Sequence, residues 1–83
     1  LTRGSGAYLL VLRYRSESRD LVMRALRSLP EYKLKSQSTQ GGYAELVIDL
    51  RLTRSELKQI ETLRAIEGVE QVNLVACSGN ALL

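Results

Sequence analysis

An α+β domain of element order β-α-β-β-α-β is expected from three features of this 83-residue chain. Ala7 to Arg15 and Tyr43 to Leu52 alternate their side-chain character with the period of two that marks a strand. Leu21 to Leu29 and Leu57 to Ile66 repeat apolar residues at helical spacing. Between them, Gln40-Gly41-Gly42 marks a hairpin, because glycine accepts the positive φ that tight turns require.

In the first strand Tyr8, Leu10, Leu12 and Tyr14 form an apolar set expected to face the core, against Leu9, Val11, Arg13 and Arg15. Ser16-Glu17-Ser18 offers helix-capping hydroxyls, and Asp20 falls in the first turn, where negative charge suits the helix dipole. Leu21, Val22, Ala25, Leu26 and Leu29 then trace one helix face, with Arg19, Arg24 and Arg27 on the other, until Pro30 ends the ladder. Tyr32 to Thr39 reads as an edge strand, with Tyr32, Leu34, Ser36 and Ser38 on one side and Lys33, Lys35, Gln37 and Thr39 on the other. The next strand is stronger: Ala44, Leu46, Ile48, Leu50 and Leu52 oppose Tyr43, Glu45, Val47, Asp49 and Arg51. Thr53-Arg54-Ser55-Glu56 fits a capping box, Leu57, Ile60, Leu63 and Ile66 continue the helix, and Gly68 is placed to end it in a left-handed turn. Val69 to Cys77 closes the pattern, with Val72, Leu74 and Ala76 against Gln71, Asn73, Val75 and Cys77.

This is the ferredoxin-like split βαβ arrangement, a four-stranded antiparallel sheet of order 4-1-3-2. Right-handed crossovers place both helices on one face. The domain is expected over 7–78, with 1–6 a linker or cloning remnant and 79–83 a flexible tail. The start at Leu1 and the Gly4-Ser5-Gly6 stretch read as a piece of something longer.

Size and composition narrow the function classes. An 83-residue domain buries only about 60–65% of its unfolded surface, while 45% apolar residues in clear patterns argue against disorder. One cysteine, Cys77, forms no internal disulfide, and without histidine no zinc site is expected. That usage suits a reducing, cytoplasmic compartment. No segment approaches the length of a membrane helix, so a membrane is expected only through some other part of a longer chain. The net charge of +3 is uneven: residues 1–35 carry eight basic against three acidic side chains, and residues 36–83 four against six. Such asymmetry attracts anionic partners when clustered and otherwise describes a solvated surface.

With both helices on one side, the other sheet face meets solvent or a partner. It is expected to show Leu9, Val11, Tyr43, Val47, Asp49 and Val75, ringed by Arg13, Arg15, Lys33, Lys35, Glu45 and Arg51. Covering Leu9, Val11, Val47 and Val75 would contribute roughly 6–12 kcal/mol in gross terms, comparable to the whole net stability of a small domain. Leu9, Val11, Tyr43, Val47 and Val75 are therefore the expected interface, in a homodimer or against another part of a parent protein. The alternative role is that of a small-molecule or anion sensor. Its site would lie at Arg15, Ser16, Ser18 and Arg19, where the amides of a helix start meet two guanidinium groups.

Catalysis is not expected. Histidine, the commonest general base and metal ligand, is absent. Glu45 and Asp49 share a strand face but stand roughly 13 Å apart, which suits a cross-strand salt bridge better than an acid–base pair. Cys77 has no neighbouring base in sequence, and no cofactor motif is present. RNA-recognition modules share the βαββαβ order, and Gly42, Tyr43, Ala44 and Leu46 match their third-strand signature. Glu45 and Ile48 stand where its later aromatics belong, and Gly41 replaces its basic residue, so nucleic acid is not an expected partner.

The ending Ile66-Glu67-Gly68-Val69-Glu70-Gln71-Val72 resembles the helix-to-strand turn of ACT and ACT-like regulatory domains. With Val11-Leu12-Arg13-Tyr14-Arg15 and Tyr32-Lys33-Leu34-Lys35-Ser36-Gln37-Ser38, residues 7–77 look like the cytoplasmic C-terminal domain of MgtC/SapB-type bacterial membrane proteins. The resemblance implies a non-catalytic regulatory or assembly domain, often dimeric, attached to a membrane or enzymatic portion. Amino-acid-binding ACT domains carry an Asp-x-x-Gly-type turn after the first strand. Here that stretch is Arg15-Ser16-Glu17-Ser18-Arg19-Asp20, without glycine, so no ligand site carries over.

Overall fold

The computed structural model describes residues 5–77. The expected tail at 79–83, and residues 1–4 of the expected linker, lie outside the described residues. The elements run β1 (Gly6–Arg15), a 3-10 turn (Ser16–Ser18), α1 (Arg19–Arg27), β2 (Tyr32–Gln40), β3 (Tyr43–Leu52), α2 (Arg54–Glu61), a second 3-10 turn (Thr62–Ala65) and β4 (Val69–Ala76). The sheet is antiparallel in the order β2-β3-β1-β4, the expected order read from its other edge.

One core explains the strand patterns. Leu10, Leu12 and Tyr14 of β1, Ala44 to Leu52 in alternation along β3, and Val72 of β4 are buried together with Val22, Leu26, Leu29, Ile60 and Leu63 from the helical layer. All the buried strand residues belong to one side of the pleat, so both helices cover the same face. Of the two central strands, β3 shows the stricter alternation, burying every second residue from Ala44 to Leu52. Edge strand β2 buries almost nothing beyond the half-buried Tyr32.

The local signals act largely as their chemistry requires. Gly41 and Gly42, with φ of 60° and 83°, form the two-residue β2–β3 turn that positive φ allows. Thr53 accepts from the Glu56 amide while the Glu56 carboxylate accepts from the Thr53 amide, closing the capping box. Gly68 adopts the expected left-handed φ of 97° before β4, but it does not itself end the helix: α2 stops at Glu61 and a 3-10 turn carries the chain to Ala65.

Three positions depart from the sequence reading. In β2 the pairing skips Lys35, so Leu34 opposes Ile48 and Ser36 opposes Val47. A bulge of this kind reverses side-chain parity beyond it. Ser36 and Ser38 therefore lie on the open face, whereas Gln37 and Thr39 lie on the helix side. The capping expected of the Ser16–Ser18 hydroxyls is not made at α1. Ser18 donates instead to the Glu67 carbonyl at 2.6 Å, because the 3-10 turn carries it against Gly68. Leu21 is 51% exposed, since Val22, Leu26 and Leu29 set the buried stripe and Leu21 sits about 100° around the helix from Val22.

Candidate functional site: the open sheet face

Strand register arranges the uncovered face into rows across the sheet. One row reads Lys33, Asp49, Leu9, Val75 from β2 to β4. The next reads Ser36, Val47, Val11, Asn73, and the next Ser38, Glu45, Arg13, Gln71. Towards the β2–β3 turn lie Gln40, Tyr43 and Arg15. Every expected interface residue (Leu9, Val11, Tyr43, Val47 and Val75) thus falls on this one face. Val11 and Val47 face each other directly at its centre.

The four aliphatic side chains are contiguous but unequally exposed. Leu9, Val11 and Val47 are half-buried by their neighbours on the sheet, while Val75 on the edge strand is 52% exposed. Part of the area assumed for these side chains in the gross sum is therefore already covered within the isolated chain, and the gain left for a partner is correspondingly smaller.

The turn end of the face is cationic. The guanidinium groups of Arg13 and Arg15 lie 4.6 and 5.4 Å from the centroid of the Tyr43 ring. Arg15 also donates to the Tyr43 hydroxyl at 3.1 Å and to Glu17 at 3.3 Å. The Glu17 carboxyl is held below its usual range, chiefly by a hydrogen bond from its own amide and then by Arg15, whose own pKa Glu17 raises. On the opposite flank Lys35 pairs with Asp49 at 3.8 Å, the cross-strand salt bridge expected for one of the two carboxylates on β3. Glu45 has no such pair among the described residues.

The residues of the alternative anion site do not converge. Arg15 and Ser18 border a depression shared with Glu17, Leu21, Glu67 and Gly68. Ser16 and Arg19 border a different one, with Tyr14, Gln37, Thr39 and Ala44. The Ser18 hydroxyl is buried and engaged with Glu67, and the Arg15 guanidinium is already taken up by Glu17 and Tyr43. An open cleft of about 600 Å³ lies at the start of β2, where Glu31 and Asp49 accompany Lys33 and Arg51 and no single charge prevails. Among the described residues no cluster of three or more His, Cys, Asp or Glu side chains could hold a metal ion.

The Tyr43 clamp and the Lys35 bulge escaped the sequence reading. The first had a signal in Arg13 and Arg15 on the same strand face, but only the β1–β3 register puts them beside Tyr43. The second had none, since Lys33 to Ser38 alternates smoothly in either parity.

No protein-family model and no curated protein matches the chain. Among solved structures it is similar to the C-terminal domain of the MgtC protein from Mycobacterium tuberculosis, with a TM-score of 0.68, 16% identity and 93% of each chain covered. It is also similar to part of a homoserine dehydrogenase from Thiobacillus denitrificans, with a TM-score of 0.61 and 16% identity over 87% of this chain but 17% of that one. No helix among the described residues is long and apolar enough to cross a membrane. At these identities the likeness is one of fold: this chain has the ferredoxin-like fold of the MgtC C-terminal domain.

Proposed function

We propose that this domain is a non-catalytic association module of a larger bacterial protein and that its open sheet face is the surface it uses. The observation that carries the reading is the Leu9–Val11–Val47–Val75 patch. It is contiguous in register, lies opposite the helices, and is bordered by Arg13, Glu45, Asp49 and Lys33. An apolar centre with a charged and hydrogen-bonding rim is the anatomy of a protein interface. The fold likeness agrees with an appended role, since one similar structure is a C-terminal domain and the other match covers a small part of a longer enzyme chain. The reading extends to regulation of a membrane-anchored parent from its cytoplasmic side, supported by the MgtC likeness and the single free cysteine.

Light scattering of the 83-residue chain from about 1 μM to about 1 mM, the span over which interfaces of modest size dissociate, tests the self-association this reading allows. The mass is expected to rise from monomer towards dimer across that range. A constant monomer mass would contradict self-association.

A further inference from the structure

The face pairs opposite charges about one in-plane axis and like charges about the other. Rotation by 180° about an axis parallel to the strands, midway between β1 and β3, keeps each row at its own height and exchanges β1 with β3. Val11 then meets the second copy's Val47, Arg13 meets its Glu45, and Ser36 meets its Asn73, each pair formed twice. Rotation about an axis across the strands through the Val11–Val47 row keeps the strands and exchanges the rows. Glu45 would then meet Asp49, placing like charges together twice, and Arg13 would be left without an opposite charge. Juxtaposed like charges disfavour an interface strongly once they are shielded from water. From this asymmetry, and resting on the reading of the face as an association surface, we infer that the partner is a second copy of this chain, packed face to face about the axis parallel to the strands.

The monomer leaves this contact unmade. Arg13 and Glu45 are directly opposite across β1 and β3, yet among the described residues no ion pair joins them. Arg13 leans over the Tyr43 ring instead, while Glu45 stays half-buried. A second copy would bring its Arg13 to this carboxylate. In the remaining row Asp49 meets the second copy's Leu9 and Lys33 meets its Val75, so this row opposes the packing. It is offset only by Lys35 pairing with Asp49 within the chain and by the Lys33 stem lying along Val75. The geometry suits aligned sheet packing, in which facing strands cross at about 30°.

Four strands about 4.8 Å apart and some eight residues long present roughly 500 Å² per copy. The total of about 1,000 Å² is at the low end for specific interfaces. The dimer is accordingly expected to dissociate in the micromolar range.

Charge exchange tests the pairing through the Kd of self-association by light scattering or sedimentation. Arg13→Glu and Glu45→Arg are each expected to weaken self-association roughly tenfold or more, by setting like charges against each other twice. The double variant R13E/E45R is expected to recover to within about threefold of the parent chain, because both intermolecular pairs return with exchanged sign. An equimolar mixture of the two single variants is expected to form the mixed dimer. Each partner there keeps its own like-charge neighbours within the chain, so recovery can arise only between chains. Melting curves identify any variant that fails to fold, and the double variant supplies the decisive comparison in that case. Failure of both the mixture and the double variant to recover, or a parent chain that is monomeric throughout, would overturn the inference. If the charge variants change nothing while Val47→Asp still dissociates the dimer, the pairing is wrong and the face remains the interface. If Val47→Asp also changes nothing, the reading of the face fails with it.

Discussion

Gly68→Ala is expected to lower the unfolding free energy by about 2–4 kcal/mol, a large share of the 5–15 kcal/mol typical of a domain. Two costs combine. The backbone at Gly68 has φ 97°, where an L side chain is strained by about 1–3 kcal/mol. A Cβ placed there would also collide with the Ser18 hydroxyl, whose carbon lies 3.1 Å away, and would break the bond from Ser18 to the Glu67 carbonyl. The buried hydroxyl would then lack its partner, at about 1–3 kcal/mol. The junction has little room to yield, because the Arg15 amide donates to the Gly68 carbonyl at 2.8 Å and the Ser16 amide to the Gly42 carbonyl at 2.9 Å. For a chain of this size the melting temperature should fall by about 10–25 °C. In a Ser18→Ala background the same substitution should cost at least about 0.5 kcal/mol less, since the colliding oxygen is gone. Equal costs in both backgrounds would show that backbone strain alone is responsible.

Val47→Asp is expected to raise the Kd of self-association roughly a hundredfold or more. Val47 is at the centre of the open face, between Val11 on β1 and Ser36 on β2, so a carboxylate there would be desolvated in the dimer with an apolar side chain opposite it. The fold should lose only about 1 kcal/mol, the span of strand preference at a half-buried site, because the core side of β3 is untouched. Gln59→Glu, on the exposed part of α2, should leave the mass unchanged. Mass lost equally in both variants would point to a surface other than the sheet face.

The legible parts of this molecule are those in which one local rule operates without competition. β3 alternates strictly because Ala44, Leu46, Ile48, Leu50 and Leu52 all meet the core, and a period of two leaves a single register in which they can do so. Thr53 and Glu56 satisfy each other within four residues, and Gly41, Gly42 and Gly68 mark positive φ by having no side chain to obstruct it. Long-range partners decide the remainder. Ser18 has the chemistry of a helix cap, yet it is captured by a carbonyl 49 residues away. Leu34 is 45% exposed and Lys35 drops out of register because edge strand β2 lacks a helix above it to enforce the pleat. The open-face residues could be named from alternation alone. Their rows could not, and the pairing of Arg13 with Glu45 exists only once β1 and β3 are aligned.

The central claim concerns which surface associates, and backbone amide NMR shifts followed on dilution read that surface residue by residue. Shifts that depend on concentration are expected to concentrate at Leu9, Val11, Arg13, Glu45, Val47, Asn73 and Val75, and at Lys33 and Ser36 on the open side of β2. The exposed residues of α1 and α2 should remain unchanged. Concentration-dependent shifts confined to the helices, or to the outer edge of β2, would contradict the account.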